Sequence, residues 1–125
     1  MPIQVTLTLD SVPLSGWLSD SDTARAMATR LPLELNMSRW GDEYYGSIGA
    51  SLKNLSSETQ QTMGVGDLAY WEPGTAFCLF FGPTPASSGD KPVAAGPVHL
   101  VGSVEGDWKA VKALGGTVHA VLEIS

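Results

Sequence analysis

A chain of 125 residues is long enough for one domain, residues 1–125, and too short to bury two separate cores. Seven Lys and Arg against thirteen Asp and Glu give a formal net charge of −6, and no basic run interrupts it, which argues against nucleic acid and anionic membranes as partners because phosphate binding needs clustered positive charge. Cys78 is the single cysteine, so no internal disulfide forms; with no signal-like or membrane-length apolar run, the expected setting is the cytoplasm.

Periodicity organises the chain. Residues 3–9 (IQVTLTL) alternate strictly, with Ile3, Val5, Leu7 and Leu9 on one face, which predicts a half-buried strand. Turn residues follow, and Leu14 to Leu18 return as the second arm of a hairpin. Residues 19–31 switch to helical spacing: Ala24, Met27, Ala28 and Leu31 form one stripe, Asp20, Ser21 and Asp22 supply an N-cap, and Pro32 ends the helix.

Alternation resumes with Leu33, Leu35 and Met37, turns at Trp40-Gly41-Asp42, and returns through EYYGSIG. Residues 49–64 read as a long polar loop holding one helical turn at most. Strands at 67–71 and 76–81 are joined by Glu72-Pro73-Gly74-Thr75, whose Pro-Gly pair suits a tight turn. A Pro, Gly and Ser-rich excursion spans 82–97, followed by a strand at 98–104. Trp108, Val111 and Leu114 then have helical spacing within 107–116 and stop at Gly115-Gly116. The last segment, TVHAVLEI, points Val118, Ala120, Leu122 and Ile124 inward. About eight strands, two short helices and strands at both ends predict a mainly β fold, a closed antiparallel barrel that hides its edges.

The strand at 76–81, AFCLFF, is apolar on both faces, unlike an antiparallel strand with one solvated side. Ala76, Cys78 and Phe80 are assigned to the core, where Cys78 is an inert thiol. The opposite face, Leu79 and Phe81 with Trp71 from the preceding strand, is left for a cover, a partner or a ligand.

At these residues a resemblance becomes specific. GDLAYWEPG followed by CLFFG, then VHLVGSVEGDWKAVKALGG and a terminal strand, resembles the second half of the cyclophilins. WGDEYYGSI together with the Phe-Phe-Gly-Pro-Thr-Pro run is similar to the uncharacterised bacterial and archaeal proteins of the cyclophilin-like family. The resemblance implies a cyclophilin-like barrel and a groove whose wall includes Phe81, the match to the second Phe of the family's pair. Prolyl isomerisation must overcome a barrier of roughly 18–20 kcal/mol, and in cyclophilins it uses a positioned arginine beside a Phe-Met-x-Gln segment. NMSRWGDEYYGSI stands in that region, with Arg39 but without Phe-Met-x-Gln, and Arg39 precedes a turn as a solvated strand-end cation would. The family's pocket histidine stands four residues before a glycine, whereas His99 stands three before Gly102, and one residue reverses the face of a strand unless a bulge intervenes.

The remaining chemistry is sparse. His119 alternates onto the polar face. Two histidines and one cysteine on separate strands have no metal-ligand spacing, and no glycine-rich phosphate loop appears, so neither metal nor cofactor is expected. Asp42, Glu43 and Glu72 form a carboxylate site only if their turns converge. The expected groove therefore comprises Trp71, Leu79, Phe81, Glu72, His99 and Arg39, in a binding module for a peptide or small ligand. Two alternatives stay open: a prolyl isomerase with a divergent active site, and a subunit-like component of an amidohydrolase complex.

Overall fold

The computed structural model describes residues 2–125. Strict alternation becomes strand where it was strongest. In β1 (Ile3–Leu9) Val5, Leu7 and Leu9 are fully buried, and a tight turn leads into β2 (Val12–Leu18), which pairs with it from Ile3↔Leu18 to Leu9↔Val12. The helix α1 (Asp22–Ala28) starts at Ser21, whose hydroxyl accepts from the Ala24 N–H at 3.1 Å, and buries Ala24 and Met27. It stops short of the expected residue 31, with Thr29 as its C-cap.

Next come β3 (Leu33–Arg39), β4 (Glu43–Ser47), β5 (Gln60–Thr62), β6 (Asp67–Trp71), β7 (Ala76–Phe80), β8 (Val93–Glu105), α2 (Trp108–Lys112) and β9 (Thr117–Ile124). Eight of these strands follow one another in the order β2-β1-β9-β3-β4-β7-β6-β8, and pairing of β8 with β2 closes the ring. The expected closed antiparallel barrel with two short helices is the observed fold. Closure requires backbones to meet without side chains between them. A Cβ on Gly16 would lie 1.9 Å from the Ser103 carbonyl oxygen, and one on Gly102 would lie 2.1 Å from that of Trp17, so only glycine fits at either position of the β2–β8 seam.

Two segments differ from expectation. Residues 49–64 contain no helical turn but the short strand β5, added to the edge of β8. The excursion at 82–97 is a loop only as far as Pro92, because β8 begins at Val93 and runs through Gly96 and Pro97. Pro97 is tolerated where the β5–β8 register is irregular and a ladder bond is already missing. At the other terminus Ile124, expected inward, is 61% exposed. It lies beyond Leu33↔Leu122, where β3 stops pairing with β9, so no strand flanks it on that side.

The barrel interior is filled by the larger apolar cluster, including Leu7, Leu35, Met37, Phe77, Leu79 and Phe81. Its two ends are plugged differently. At one end α1 is tied to the loop after β4, since the Thr23 N–H donates to Ser56 Oγ (3.2 Å) and the Ser56 N–H to Thr23 Oγ1 (2.8 Å). In the same loop the Leu52 N–H donates to the Tyr70 hydroxyl at 3.1 Å. At the other end α2, N-capped by Asp107 (3.1 Å to the Ala110 N–H), buries Val111.

Candidate functional site

Which face of β7 points inward decides where a site can be. The connection after β6 is a 3₁₀ turn over Glu72–Gly74 followed by Thr75 in the left-handed region, and it pairs Trp71 directly with Ala76. Paired residues share a face, so Trp71 belongs with Ala76, Cys78 and Phe80. Tyr70, opposite Phe77, belongs with Leu79 and Phe81. The expected faces are therefore reversed: Leu79 and Phe81 are fully buried inside the barrel, and Ala76, Cys78 and Phe80 lie outside it in a second, smaller cluster with Met63, Ala69 and Val98.

The six expected groove residues do not converge. Arg39 and Phe81 meet, but at the closed α2 end of the barrel. The guanidinium lies 5.8 Å from the Tyr44 ring centroid and 5.2 Å from that of Phe81. Its Nε–H donates to the Gly41 carbonyl at 2.8 Å, Nη1 to the carbonyls of Lys112 (2.9 Å) and Leu114 (3.0 Å), and Nη2 to Asp42 Oδ1 at 2.9 Å. Arg39 is thus a bonded plug, not the solvated cation expected, because α2 ends with its free carbonyls aimed at that spot. Asp42 is committed to the same network.

His99 sits opposite Tyr70 on β8, 8% exposed, and its Nδ1 has no hydrogen-bond partner. The bulge needed to reverse its face is present: Leu68 pairs with Gly102 and Ala69 with Leu100, leaving Val101 extra. It turns His99 toward the Tyr70 side of the sheet, away from Trp71. Glu72 is exposed on the 3₁₀ turn. His119, expected on the surface, has Nε2 3.0 Å from Glu34 Oε1.

The concavity with a chemically distinct lining lies on the outer face. Its volume is about 300 Å³, at the small end of ligand pockets. Three aromatic residues border it: Trp40, Tyr45 and Trp71. The first half of β8 supplies an alkyl wall through Ala94, Ala95 and Val98, and Glu43 and Cys78 complete the lining. Strand parity explains the assembly. Tyr45 pairs with Cys78 and Glu43 with Phe80, while Trp40 and Glu43 exchange backbone bonds across the β3–β4 turn (2.8 and 3.2 Å). Alternation along Arg39-Trp40 and Glu43-Tyr44-Tyr45 therefore sends Arg39 and Tyr44 inward and Trp40, Glu43 and Tyr45 outward.

Trp71 is held in place from behind. A Cβ on Gly74 would stand 2.6 Å from the Trp71 ring, and one on Gly96 would stand 3.6 Å from its Nε1. The missing side chain at Gly74 leaves room for the indole, whereas a methyl at Gly96 would only touch it.

Glu43 is 6% exposed, and burial pushes its carboxyl up to about 7, opposed by a hydrogen bond from the Cys78 thiol. Burial, followed by the neighbouring Glu43 charge, pushes the Cys78 thiol well above its ordinary value. With Cys78 only 2% exposed, a nucleophilic thiolate is disfavoured. Glu43 is instead a group that gains or loses a proton near neutrality inside an apolar recess. In the sequence Glu43 stands only as one of three turn carboxylates, and no pattern there marks Trp40, Tyr45 or the β8 wall as pocket lining. Among the described residues no three His, Cys, Asp or Glu side chains are grouped to hold a metal ion.

A closed eight-stranded antiparallel barrel with two short helices agrees with the cyclophilin-like barrel that the sequence resemblance implies. The chain belongs to the cyclophilin-like family, whose model, described as Cyclophilin-like, matches residues 1–123. Among solved structures it is similar to the hypothetical protein AF2241 from Archaeoglobus fulgidus, determined in solution, with 29% identity over 99% of this chain and 95% of that one and a TM-score of 0.79. No curated protein matches it.

Proposed function

We propose that the protein is a binding module that holds a small, largely apolar ligand in the outer-face pocket between Trp40, Tyr45 and Trp71, without efficient prolyl isomerase activity. The observation that carries this reading is the pocket itself, an aromatic and alkyl recess with one buried carboxyl at a place where an outward sheet face would ordinarily be polar. Isomerase chemistry is disfavoured because Arg39, the candidate for weakening an X-Pro amide, has its donors committed to carbonyls and Asp42 at the α2 end and is absent from the pocket lining.

A fragment screen read by the indole N–H resonances of Trp40 and Trp71 tests the reading. Binding fragments should shift those two signals in the native protein and leave them unmoved in Ala95→Phe, where the new ring fills the recess. Fragments that bind equally well to both proteins would defeat it, as would acceleration of prolyl cis-to-trans relaxation that Arg39→Lys abolishes in a folded protein.

A further inference from the structure

The lining of the pocket narrows the chemistry of its occupant, an inference that rests on the pocket being the binding site. Glu43 is the only lining residue with an ionisable carboxyl, and no Lys, Arg or His lines the recess. None of the ion pairs among the described residues includes Glu43. The other titratable groups lining the pocket around it are the Cys78 thiol on β7 and the Tyr45 phenol on β4, and neither can supply positive charge. Trp40 from the β3–β4 turn and the β8 wall contribute none. A buried carboxylate without a cationic partner is costly, so the protein alone leaves it short of one.

Each class of ligand meets this lining differently. An anion would face Glu43 and a chain of net charge −6. A neutral apolar molecule would fit the walls but leave the carboxyl as it is. A protonated amine on an apolar body satisfies both parts, because its N–H donors complete the carboxylate and its charge is attracted to the π faces of surrounding aromatic rings.

We infer that the pocket is a site for a compact primary or secondary ammonium ion carried on an apolar body, with its N–H donors on Glu43 and its charge among Trp40, Tyr45 and Trp71. Burial of Glu43 adds a pH signature. The ammonium ion selects the ionised carboxyl, so binding strengthens as pH rises through about 7 and expels a proton when it occurs below that value.

Calorimetric titration with three probes of similar shape tests this: 2-phenylethylamine, 2-phenylethanol and 3-phenylpropionate, each against the native protein, Glu43→Gln and Ala95→Phe. At pH 8 the amine should bind the native protein at least about tenfold more tightly than the alcohol, and the propionate should not bind. That preference should shrink at pH 5.5 and vanish in Glu43→Gln, while Ala95→Phe should bind none of the three. If amine and alcohol bind the native protein equally and both are lost in Ala95→Phe, the pocket reading stands and the ammonium inference falls. If no probe binds, or binding survives Ala95→Phe, both fall. Should Glu43→Gln fail to fold, the amine-to-alcohol ratio of the native protein at the two pH values decides the matter alone.

Discussion

The guanidinium of Arg39 lies 5.2 Å from the ring centroid of Phe81, and Phe81 is in turn stacked on Tyr44 with centroids 5.4 Å apart. The Tyr44 hydroxyl then donates to the Gly115 carbonyl at 2.5 Å. Cation, rings and helix C-terminus form one stopper at the α2 end of the barrel, and this places Arg39 among the residues that hold the fold together.

Arg39→Ala should therefore cost on the order of 2–4 kcal/mol, because it leaves Asp42 unpaired and the carbonyls after α2 without donors. Arg39→Lys keeps the charge but loses the planar fork and should recover only part of that loss. Urea midpoints of the three proteins, compared at equal unfolding slopes, provide the measurement. An Arg39→Ala protein as stable as the native one would contradict the stopper.

Phe81→Ala should cost about 3–5 kcal/mol, the usual penalty for emptying a buried aromatic site, and should leave pocket binding unchanged in whatever fraction stays folded. Trp71→Ala should do the reverse, costing less stability and abolishing binding, since Trp71 is only partly buried. If Phe81→Ala instead lost binding at little cost in stability, Phe81 would face outward and the parity assigned to β7 would be wrong.

Glu43 should make stability fall as pH rises. Its folded value of about 7 lies above the ordinary 4.5, so between these two values the unfolded chain has released the proton while the folded chain still holds it. Stability contributed by the protonated form is complete below about 4.5, declines across the window and is lost above about 7. The full shift corresponds to about 3 kcal/mol. Glu43→Gln, which cannot ionise, should remove this component, so the native protein and the variant should diverge between pH 4.5 and 8 in denaturant midpoint. Parallel pH profiles would show that Glu43 is not held protonated.

Gly74→Ala probes the support behind Trp71. The backbone there tolerates alanine, since Gly74 is not among the residues with positive φ, but the new methyl would stand 2.6 Å from the indole and must push the ring. A cost of about 1–3 kcal/mol, together with a displaced Trp71 indole N–H resonance and weaker ligand binding, is expected. Gly89→Ala, where nothing lies within 4 Å, is the control and should change none of these.

The barrel was legible because alternation carries both a period and a direction in β1, β3 and β9, where polar residues mark the solvent side. Strand β7 carries only the period. With Ala76, Cys78 and Phe80 on one face and Phe77, Leu79 and Phe81 on the other, both apolar, nothing within the strand says which face is inside. The connection after Trp71 settles it, since four residues between Trp71 and Ala76 make those two direct partners, and counting across that turn would have put Trp71 beside Cys78. The β8 wall was hidden because Gly96 and Pro97 read as loop residues. The burial of Glu43 was hidden with it, because a carboxylate beside a turn is solvated unless some distant segment covers it. Strand β5 is three polar residues, with no apolar pattern to announce it.

The position of β9 governs the order in which this molecule can be made. It lies between β1 and β3, strands formed from residues more than a hundred and about eighty positions earlier in their closest pairs, Leu9↔Ala120 and Ser38↔Thr117. A chain in which β9 has not docked can form the β1–β2 hairpin and the β6–β7 hairpin with β4 added beside β7, yet the facing edges of β1 and β3 stay unpaired, each with a buried-type apolar face exposed. Such edges invite pairing with other chains, and contacts this distant in sequence form slowly. Until β9 docks between β1 and β3 the barrel stays open along one side, so a partly folded chain carries two unpaired edges at once.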